Sequence, residues 1–371
     1  MMDSTVLDTL FYICKVGSGF KSECTKDVSL TDEQCQLLYR LSTQNGILAF
    51  AFHALTTNYD LRQISRKLRL QWALNAENVE KRYLNQRQRA IEFSDRLKEH
   101  GIGLNVLKGF AISRYYPTPE YRECGDLDCF LTFETESSNS KSKSAYEAGN
   151  CIAEKLGANV ERDYYKHSTI KFKGLIIENH AFCTAIRGSR KRKAFERHLQ
   201  NLIATNPSSH IDNSNLIQPS SDFNALFLTA HSFEHFLTEG IKLRHILDWA
   251  LLLKAEQNNI DWKEFYKWTD KMSMTIFADA VTAISVNYLG LEVTNPEIHT
   301  TSPYAELILK DTLYYSDSIH NKGYSAWKER WHLVKSRFSN TWKYHKIYRK
   351  SITVELLKRV VGFIFERDPK L

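Results

Sequence analysis

The sequence lacks the features of an exported, membrane-spanning or disulfide-stabilised protein. Its seven cysteines are odd in number and form no C-x-x-C pair, which excludes a regular disulfide frame and a cysteine-based zinc site. No run approaches the roughly 20 apolar residues of a transmembrane helix. The opening residues, MMDSTVLDTLFYICKVGSG, lack the basic region and the long apolar stretch of a signal peptide. We therefore expect a cytoplasmic protein with reduced thiols.

Charge of one sign is not in large excess, but it is unevenly distributed. The 371 residues are 43% hydrophobic and 25% charged, with a net charge of +7, values typical of a globular protein with two or three packed units. From residue 321 onward the sequence has 13 Lys and Arg against 4 Asp and Glu, a balance of +9. The basic character therefore belongs to the C-terminal tail, which predicts one positive surface.

The hydrophobic periodicity divides the chain into four segments. Residues 1–100 predict an N-terminal helical region, with a capping box at Thr31 and Gln34 and a long helix near its end. After an α/β core over residues 101–218, the helical pattern returns in residues 219–320. The predicted C-terminal helices are Asp222–Leu237, Lys242–Ala255 and Trp262–Tyr288. The last segment, residues 321–371, is the basic, aromatic-rich tail.

The α/β core begins where glycines interrupt the helical pattern. GIGLNVLKG and GDLDCFLTF are short apolar runs typical of buried strands, and FAISRYY between them predicts a helix. The Ser- and Lys-rich stretch Ser137–Ser144 predicts an exposed loop before a helix over Ala145–Leu156. Three short strand-like segments follow. This order of elements predicts an α+β fold with a small sheet unit flanked by helical regions.

Two carboxylates in the second strand carry the main chemical prediction. Alternate side chains of a strand share a face, so Asp126 and Asp128 should point the same way while Leu127 and Cys129 enter the hydrophobic layer. Clustered carboxylates are the ligands that Mg²⁺ prefers. Buried carboxylates are costly unless a cation compensates them. The pair therefore predicts a metal site, although a lone Asp-x-Asp is also common in solvated loops.

A third carboxylate and a glycine turn extend this hypothesis. Glu178 ends the apolar run LIIE and could complete the metal site or deprotonate an attacking hydroxyl, or it could lie on a solvated strand face. Lys108 and Gly109 lie where a strand turns into a helix. Helix N-terminal amides bind phosphate and a glycine permits close approach. An ordinary strand-to-helix turn is the alternative.

LKGFAISRYYPTPEYRECGDLDCFL resembles the nucleotidyltransferase signature of the DNA-polymerase-β superfamily, in which a glycine turn precedes a strand bearing Asp-x-Asp. It is most similar to a bacterial group of uncharacterised nucleotidyltransferases, in which a Lys-Gly turn, an Arg before Asp-x-Asp and a later Glu-x-His strand recur. The similarity extends over about residues 1–290 and leaves the tail out. The matching positions are Lys108, Gly109, Arg122, Asp126, Asp128, Glu178 and His180.

The resemblance implies transfer of a nucleoside monophosphate from an NTP to an acceptor hydroxyl with two Mg²⁺ ions. It implies catalytic, metal-binding roles for Asp126, Asp128 and Glu178, and contacts with the nucleotide from the positions Lys108, Gly109, Arg122 and His180. The acceptor stays open between a small molecule, a protein and RNA. In the wider superfamily the glycine is usually followed by Gly or Ser, whereas this chain has Phe110, which leaves the phosphate contacts undetermined.

Other patterns in the C-terminal helical segment suggest a different function or a purely structural role. His231 and His235 with Glu234 match H-x-x-E-H, an inverted zinc-peptidase motif for which Glu306 could be the third ligand. One histidine bonded within a helical core is the simpler interpretation. Arg244 and Asp248, four residues apart, predict a helix-surface ion pair.

The last open pattern is positive charge outside the predicted site. A basic run over residues 187–197 could bind phosphate or form a solvated helix face. In the tail, aromatic residues alternate with Lys and Arg. This pattern suits binding to single-stranded nucleic acid, binding to a membrane surface or packing onto the body of the protein. The rival function is therefore a catalytically inactive nucleotide-binding module, or a nucleic-acid-binding module that uses the tail.

Overall fold

The computed structural model describes residues 3–20, 30–58, 64–134, 139–162, 164–187, 189–205, 209–314 and 340–355. It shows a mixed α+β fold in which one sheet is preceded and followed by helices, as the sequence predicts. The boundaries of the four segments stay predictions.

The described residues of the N-terminal region form four α-helices joined by short connections. The predicted capping box is confirmed, because Thr31 and Gln34 bond each other's backbone N–H groups. The long helix is also confirmed, and it ends one turn before the glycine where the sheet begins. The helices are α1 (Ser4–Gly17), α2 (Asp32–Gln44), α3 (Leu48–Asn58) and α4 (Arg66–Lys98).

Seven strands of the described chain form one mixed sheet in the order β3-β4-β5-β2-β1-β7-β6. The central strand β2 is antiparallel to β1 and parallel to β5. The strands are β1 (Ile102–Val106), β2 (Leu127–Phe133), β3 (Asn159–Glu161), β4 (His167–Phe172), β5 (Leu175–His180), β6 (Ser209–His210) and β7 (Leu216–Gln218). The helices between them are α5 (Phe110–Ser113), α6 (Asn139–Lys155) and α7 (Arg190–Thr205), with a 3-10 turn at Pro119–Tyr121.

Two predictions for this unit need correction. The second strand begins at Leu127, so Asp126 lies in the segment just before it. The predicted loop Ser137–Ser144 is helical from Asn139 onward, because α6 begins there. A formed helix extends more readily than a new one nucleates, so the turns that pack on the sheet can propagate into a serine-rich stretch.

The strand alternation gives the sheet two different faces. Leu127, Cys129 and Ile177 are buried with α4 and α6 in one hydrophobic core, as predicted for the first two. The side chains of Asp128 and Glu178 lie on the opposite face, which packs toward the C-terminal helices. One face of the sheet therefore builds the core while the other can carry chemistry.

The C-terminal region contains α8 (Ser221–Thr238), α9 (Leu243–Glu256), α10 (Trp262–Met272), α11 (Thr275–Leu289) and α12 (Ala305–Tyr314). The single helix predicted over Trp262–Tyr288 is wrong, because Ser273 at φ +61° adopts a left-handed conformation and separates α10 from α11. These helices share one hydrophobic core with α1–α3.

The tail is described over residues 340–355 only, so most of its aromatic residues lie outside the described parts. Lys343–Tyr348 forms a short π-helix in which Tyr344 and Ile347 are buried in the core. The Lys343 side chain is 1% exposed, and its ammonium lies 2.6 Å from Asp311 of α12. This part of the tail therefore packs onto the body, one of the three predicted alternatives.

Across the described residues, no helix combines the length and apolar character needed to cross a membrane.

Candidate active site

The turn after β1 places a lysine beside the carboxylate-bearing face. Gly109 has φ +64° and precedes α5, a conformation that residues with a Cβ rarely adopt. A Cβ here would meet its nearest neighbour, the carbonyl oxygen of Asp126, at 3.7 Å, so conformation rather than space requires glycine. The turn brings Lys108 to Asp128, with Nζ 3.1 Å from Oδ2.

Strand pairing brings the second and third predicted carboxylates together. Asp128 of β2 lies directly opposite Glu178 of β5 in the parallel register. Both therefore share the sheet face opposite the α4–α6 core. Asp128 is only 2% exposed, whereas the side chain of Glu178 is 27% exposed. The buried carboxylate and the accessible one thus form adjacent parts of one site.

His180, two residues after Glu178, joins the same group. Its Nε2 lies 3.1 Å from Asp128 Oδ1 and 3.5 Å from Glu178 Oε2. Its Nδ1 faces the carbonyl of Phe182 at 3.2 Å and must donate to it. Burial lowers the pKa of His180, but the hydrogen bonds to Asp128 and Glu178 outweigh burial and raise it. A protonated His180 therefore compensates part of the negative charge.

Asp128, Glu178 and His180 form the one group of three potential metal ligands among the described residues. Their ligand atoms all lie within 4.8 Å of one another. Asp128 Oδ2 is buried and forms an ion pair with the Lys108 ammonium at 3.1 Å. Since carboxylate oxygens suit Mg²⁺ and imidazole nitrogen suits softer ions, the carboxylates fit a divalent cation. His180 is better suited to holding Oδ1, while Oδ2 faces the Lys108 ammonium.

Asp126 lies next to this group, half-buried, rather than inside it. Burial, followed by the charge of Asp128, raises the pKa of Asp126. Burial also raises the pKa of Asp128, but Lys108 and His180 outweigh it and hold that pKa well below its usual range. The site therefore concentrates negative charge that only partly finds a cation in the protein.

The histidines of H-x-x-E-H belong to the same neighbourhood. His231 Nε2 lies 3.4 Å from the Lys108 ammonium and 3.0 Å from His235 Nε2. Burial and the charge of Lys108 hold the pKa of His231 well below its ordinary value, so a neutral ring can accept from the lysine. Among the described residues no group of three metal ligands includes either histidine or Glu306, which leaves the peptidase hypothesis without support.

Arg122 anchors the segment that leads to the aspartates. Its guanidinium is buried and donates to both oxygens of Asp248, at 2.8 and 2.7 Å. Tyr116 also donates to Asp248, at 2.8 Å. The surface pair predicted between Asp248 and Arg244 is therefore wrong, because Arg244 donates instead to the carbonyl of Glu123. A contact between Arg122 and a nucleotide would require its buried ion pair to break.

The structure thus brings together six of the seven predicted positions and places Arg122 in a supporting ion pair. Sequence reasoning missed the approach of His231 to Lys108 and the partner of Arg122, since both bridge more than 120 residues of chain. His167 was also missed. Its Nε2 lies 3.7 Å from Glu178 Oε2, and only its position opposite His180 in the β4–β5 register reveals it.

A comparison with known families agrees with this geometry. A family model described as uncharacterised nucleotidyltransferase matches residues 31–290. Among curated proteins and solved structures, nothing matches the chain. The matched range contains the sheet, the carboxylate group and the helices α8 to α11. The chain therefore belongs to a family of uncharacterised nucleotidyltransferases.

Proposed function

We propose that the chain transfers a nucleoside monophosphate from an NTP to an acceptor hydroxyl by the two-metal chemistry of the DNA-polymerase-β superfamily. The observation that carries this proposal is the register pairing of Asp128 with Glu178, which sets a buried carboxylate beside an accessible one. Asp126, half-buried just before β2, supplies the further carboxylate that a second ion needs.

Asp126, Asp128 and Glu178 would hold the Mg²⁺ ions. When bound, Mg²⁺ neutralises charge on the transferred phosphoryl group and on the departing pyrophosphate. His180 keeps Asp128 oriented through Oδ1, while Oδ2 lies against Lys108. The Glu178 side chain is more exposed than those of Lys108, Asp128 and His180. Its carboxylate is therefore placed to accept the proton of the attacking hydroxyl.

Lys108 and Gly109 would receive the triphosphate. The ammonium of Lys108 is held at the site by Asp128 and by the neutral ring of His231. Burial lowers the pKa of Lys108, but Asp128 and Asp126 outweigh burial and raise it, so the lysine stays charged. A positive charge at this turn balances the negative charge that develops on the leaving pyrophosphate.

The proposal is tested with each α-³²P-labelled NTP, Mg²⁺ and a cell extract as the source of acceptor. Transfer should depend on Mg²⁺ and fall at least roughly 1,000-fold in Asp128→Asn, a loss of about 4 kcal/mol of transition-state stabilisation. Asp8→Asn, at an exposed position of α1, is the matched control and should label like the unmodified protein.

Calorimetric titration separates the proposal from its rival. Mg²⁺ binding measured without NTP should weaken in Asp128→Asn and Glu178→Gln but not in Asp8→Asn. NTP binding without any transferred label would identify an inactive nucleotide-binding module instead. Transfer that survives Asp128→Asn would move the chemistry away from this site.

A further inference from the structure

A cleft opens beside the carboxylate group, on the β4–β5 side of the sheet. The walls are largely aromatic and apolar, and a few polar side chains reach in. The polar lining residues include Lys166, Arg192, Glu234 and Tyr348, and Phe233 is one of the aromatic ones. His231 lines the cleft and also contacts Lys108, so the cleft and the proposed phosphate site share a wall.

The sheet order puts this cleft opposite the phosphate-binding turn. Lys108 follows β1, on one side of β2, whereas Lys166 precedes β4 and Thr184 follows β5, on the other side of β2. In phosphoryl transfer the attacking and leaving oxygens lie roughly in line through phosphorus. If the pyrophosphate leaves beside Lys108, the attacking hydroxyl must come from the β5 side, where Glu178 is exposed.

We propose that this cleft binds the acceptor, and that the acceptor is a small, partly apolar molecule carrying a hydroxyl and an anionic group. This inference rests on the proposed function. The acceptor oxygen forms a bond to the α-phosphorus of the NTP, and the bond between that phosphorus and the oxygen bridging to the β-phosphate breaks. Pyrophosphate leaves with the electron pair, and the hydroxyl proton passes to Glu178.

The polar groups of the cleft define the charge of its ligand. Lys166 forms no ion pair with any described residue, and its charge acts on both His180 and His231. An anion bound there, a carboxylate or a phosphate, would lie on the same side of β2 as Glu178. Glu234, on the helix α8 wall, can accept a hydrogen bond from a further hydroxyl of the same molecule.

The described tail segment limits the size of the ligand. Tyr348 forms part of the cleft wall and its ring packs edge-on against Phe233, with centroids 5.4 Å apart. Glu355 lies 3.3 Å from the guanidinium of Arg192. These contacts hold the described tail segment against one wall of the cleft, which favours a small ligand over an RNA strand or a folded protein.

The test fills the pocket without touching the carboxylates. Ala230 lines the cleft, and Ala230→Phe should occupy it. Ala255→Phe, on an exposed position of α9, is the matched control. With α-³²P-labelled NTP and Mg²⁺, extract is separated after reaction into a small-molecule filtrate, protein and RNA. Label should appear in the filtrate with the unmodified protein and Ala255→Phe, and fall at least tenfold with Ala230→Phe.

A second variant tests the pocket independently, in case Ala230→Phe does not fold. Lys166→Gln keeps most of the side-chain length and removes the charge, so the KM for the partly purified filtrate acceptor should rise roughly tenfold, about 1.4 kcal/mol. Lys166→Arg should restore most of this loss. Mg²⁺-dependent NTP binding, measured by calorimetry, should be the same in all four variants and the unmodified protein.

The outcomes distinguish the two proposals. Label confined to protein or RNA, or undiminished label with both Ala230→Phe and Lys166→Gln, would overturn the acceptor pocket while leaving the nucleotidyl transfer intact. An unmodified protein that neither binds NTP with Mg²⁺ nor transfers label would overturn the proposed function, and the acceptor pocket with it.

Discussion

Replacing Asp248 by alanine is expected to cost more stability than any surface charge substitution in the chain. The carboxylate is 3% exposed and receives two hydrogen bonds from the equally buried guanidinium of Arg122 and one from the hydroxyl of Tyr116. Alanine would remove all three acceptor contacts at once. The buried guanidinium of Arg122 and the buried hydroxyl of Tyr116 would both lose Asp248 as a hydrogen-bond acceptor.

The magnitude follows from the uncompensated charge. Breaking a buried ion pair by removing one partner costs about 3–5 kcal/mol, because the remaining charge keeps its desolvation penalty. That is a large fraction of the roughly 5–15 kcal/mol by which a folded domain is stable. The exposed pair between Glu77 and Lys81 of α4 is the comparison, since such surface pairs contribute about 0–1 kcal/mol.

Urea denaturation followed by circular dichroism measures both effects. We expect Asp248→Ala to lower the free energy of unfolding by about 3–5 kcal/mol and Glu77→Ala by less than about 1 kcal/mol. The double variant Asp248→Leu with Arg122→Met should recover much of the loss, because it removes both charges and refills the space with apolar groups.

Two results would refute this reasoning. One is an Asp248→Ala protein no less stable than Glu77→Ala. The other is a double variant less stable than Asp248→Ala alone. Either would mean that the guanidinium of Arg122 finds water or another partner, and that the segment before Asp126 does not depend on this pair for its position.

Three further predictions concern the backbone and the thiols. Gly109→Ala should destabilise the protein by about 1–2 kcal/mol in urea, because of its φ of +64° alone, whereas Gly125→Ala, with open space around it, should change little. Ser273→Gly should raise the unfolding midpoint, since Ser273 adopts φ +61°. Iodoacetamide at pH 8 should modify exposed Cys151 but not Cys14, whose pKa burial raises to about 12. Equal alkylation of Cys151 and Cys14, measured by mass spectrometry, would contradict the prediction for the thiols.

Features that depend on neighbouring residues could be predicted from the sequence. Asp128 was placed on a strand with Leu127 and Cys129 directed into the core, because the two-residue period of a strand is a local property. The Thr31–Gln34 capping box likewise involves residues three positions apart. These predictions are confirmed, and the α+β fold with helical flanks follows from the same kind of pattern.

Features that depend on long-range pairing could not be predicted. Asp128 and Glu178 are 50 positions apart in the sequence, and only the parallel register of β2 with β5 shows that they are direct neighbours. Asp248 illustrates the opposite error. The helical spacing of four residues favours a pair with Arg244. Asp248 is instead buried and pairs with Arg122, which is 126 positions away. The catalytic and nucleotide-binding roles themselves stay predictions.

The parallel pairing of β2 with β5 links the accuracy of folding to the chemistry of the site. Shifting one of these strands by a single residue would turn its side chains to the other side of the sheet. Glu178 and His180 would then enter the apolar core, and Ile177 would take their place beside Asp128. A misaligned molecule would therefore lose both its proposed metal ligands and its packing. The packing that stabilises the fold thus also keeps the two carboxylates opposite each other.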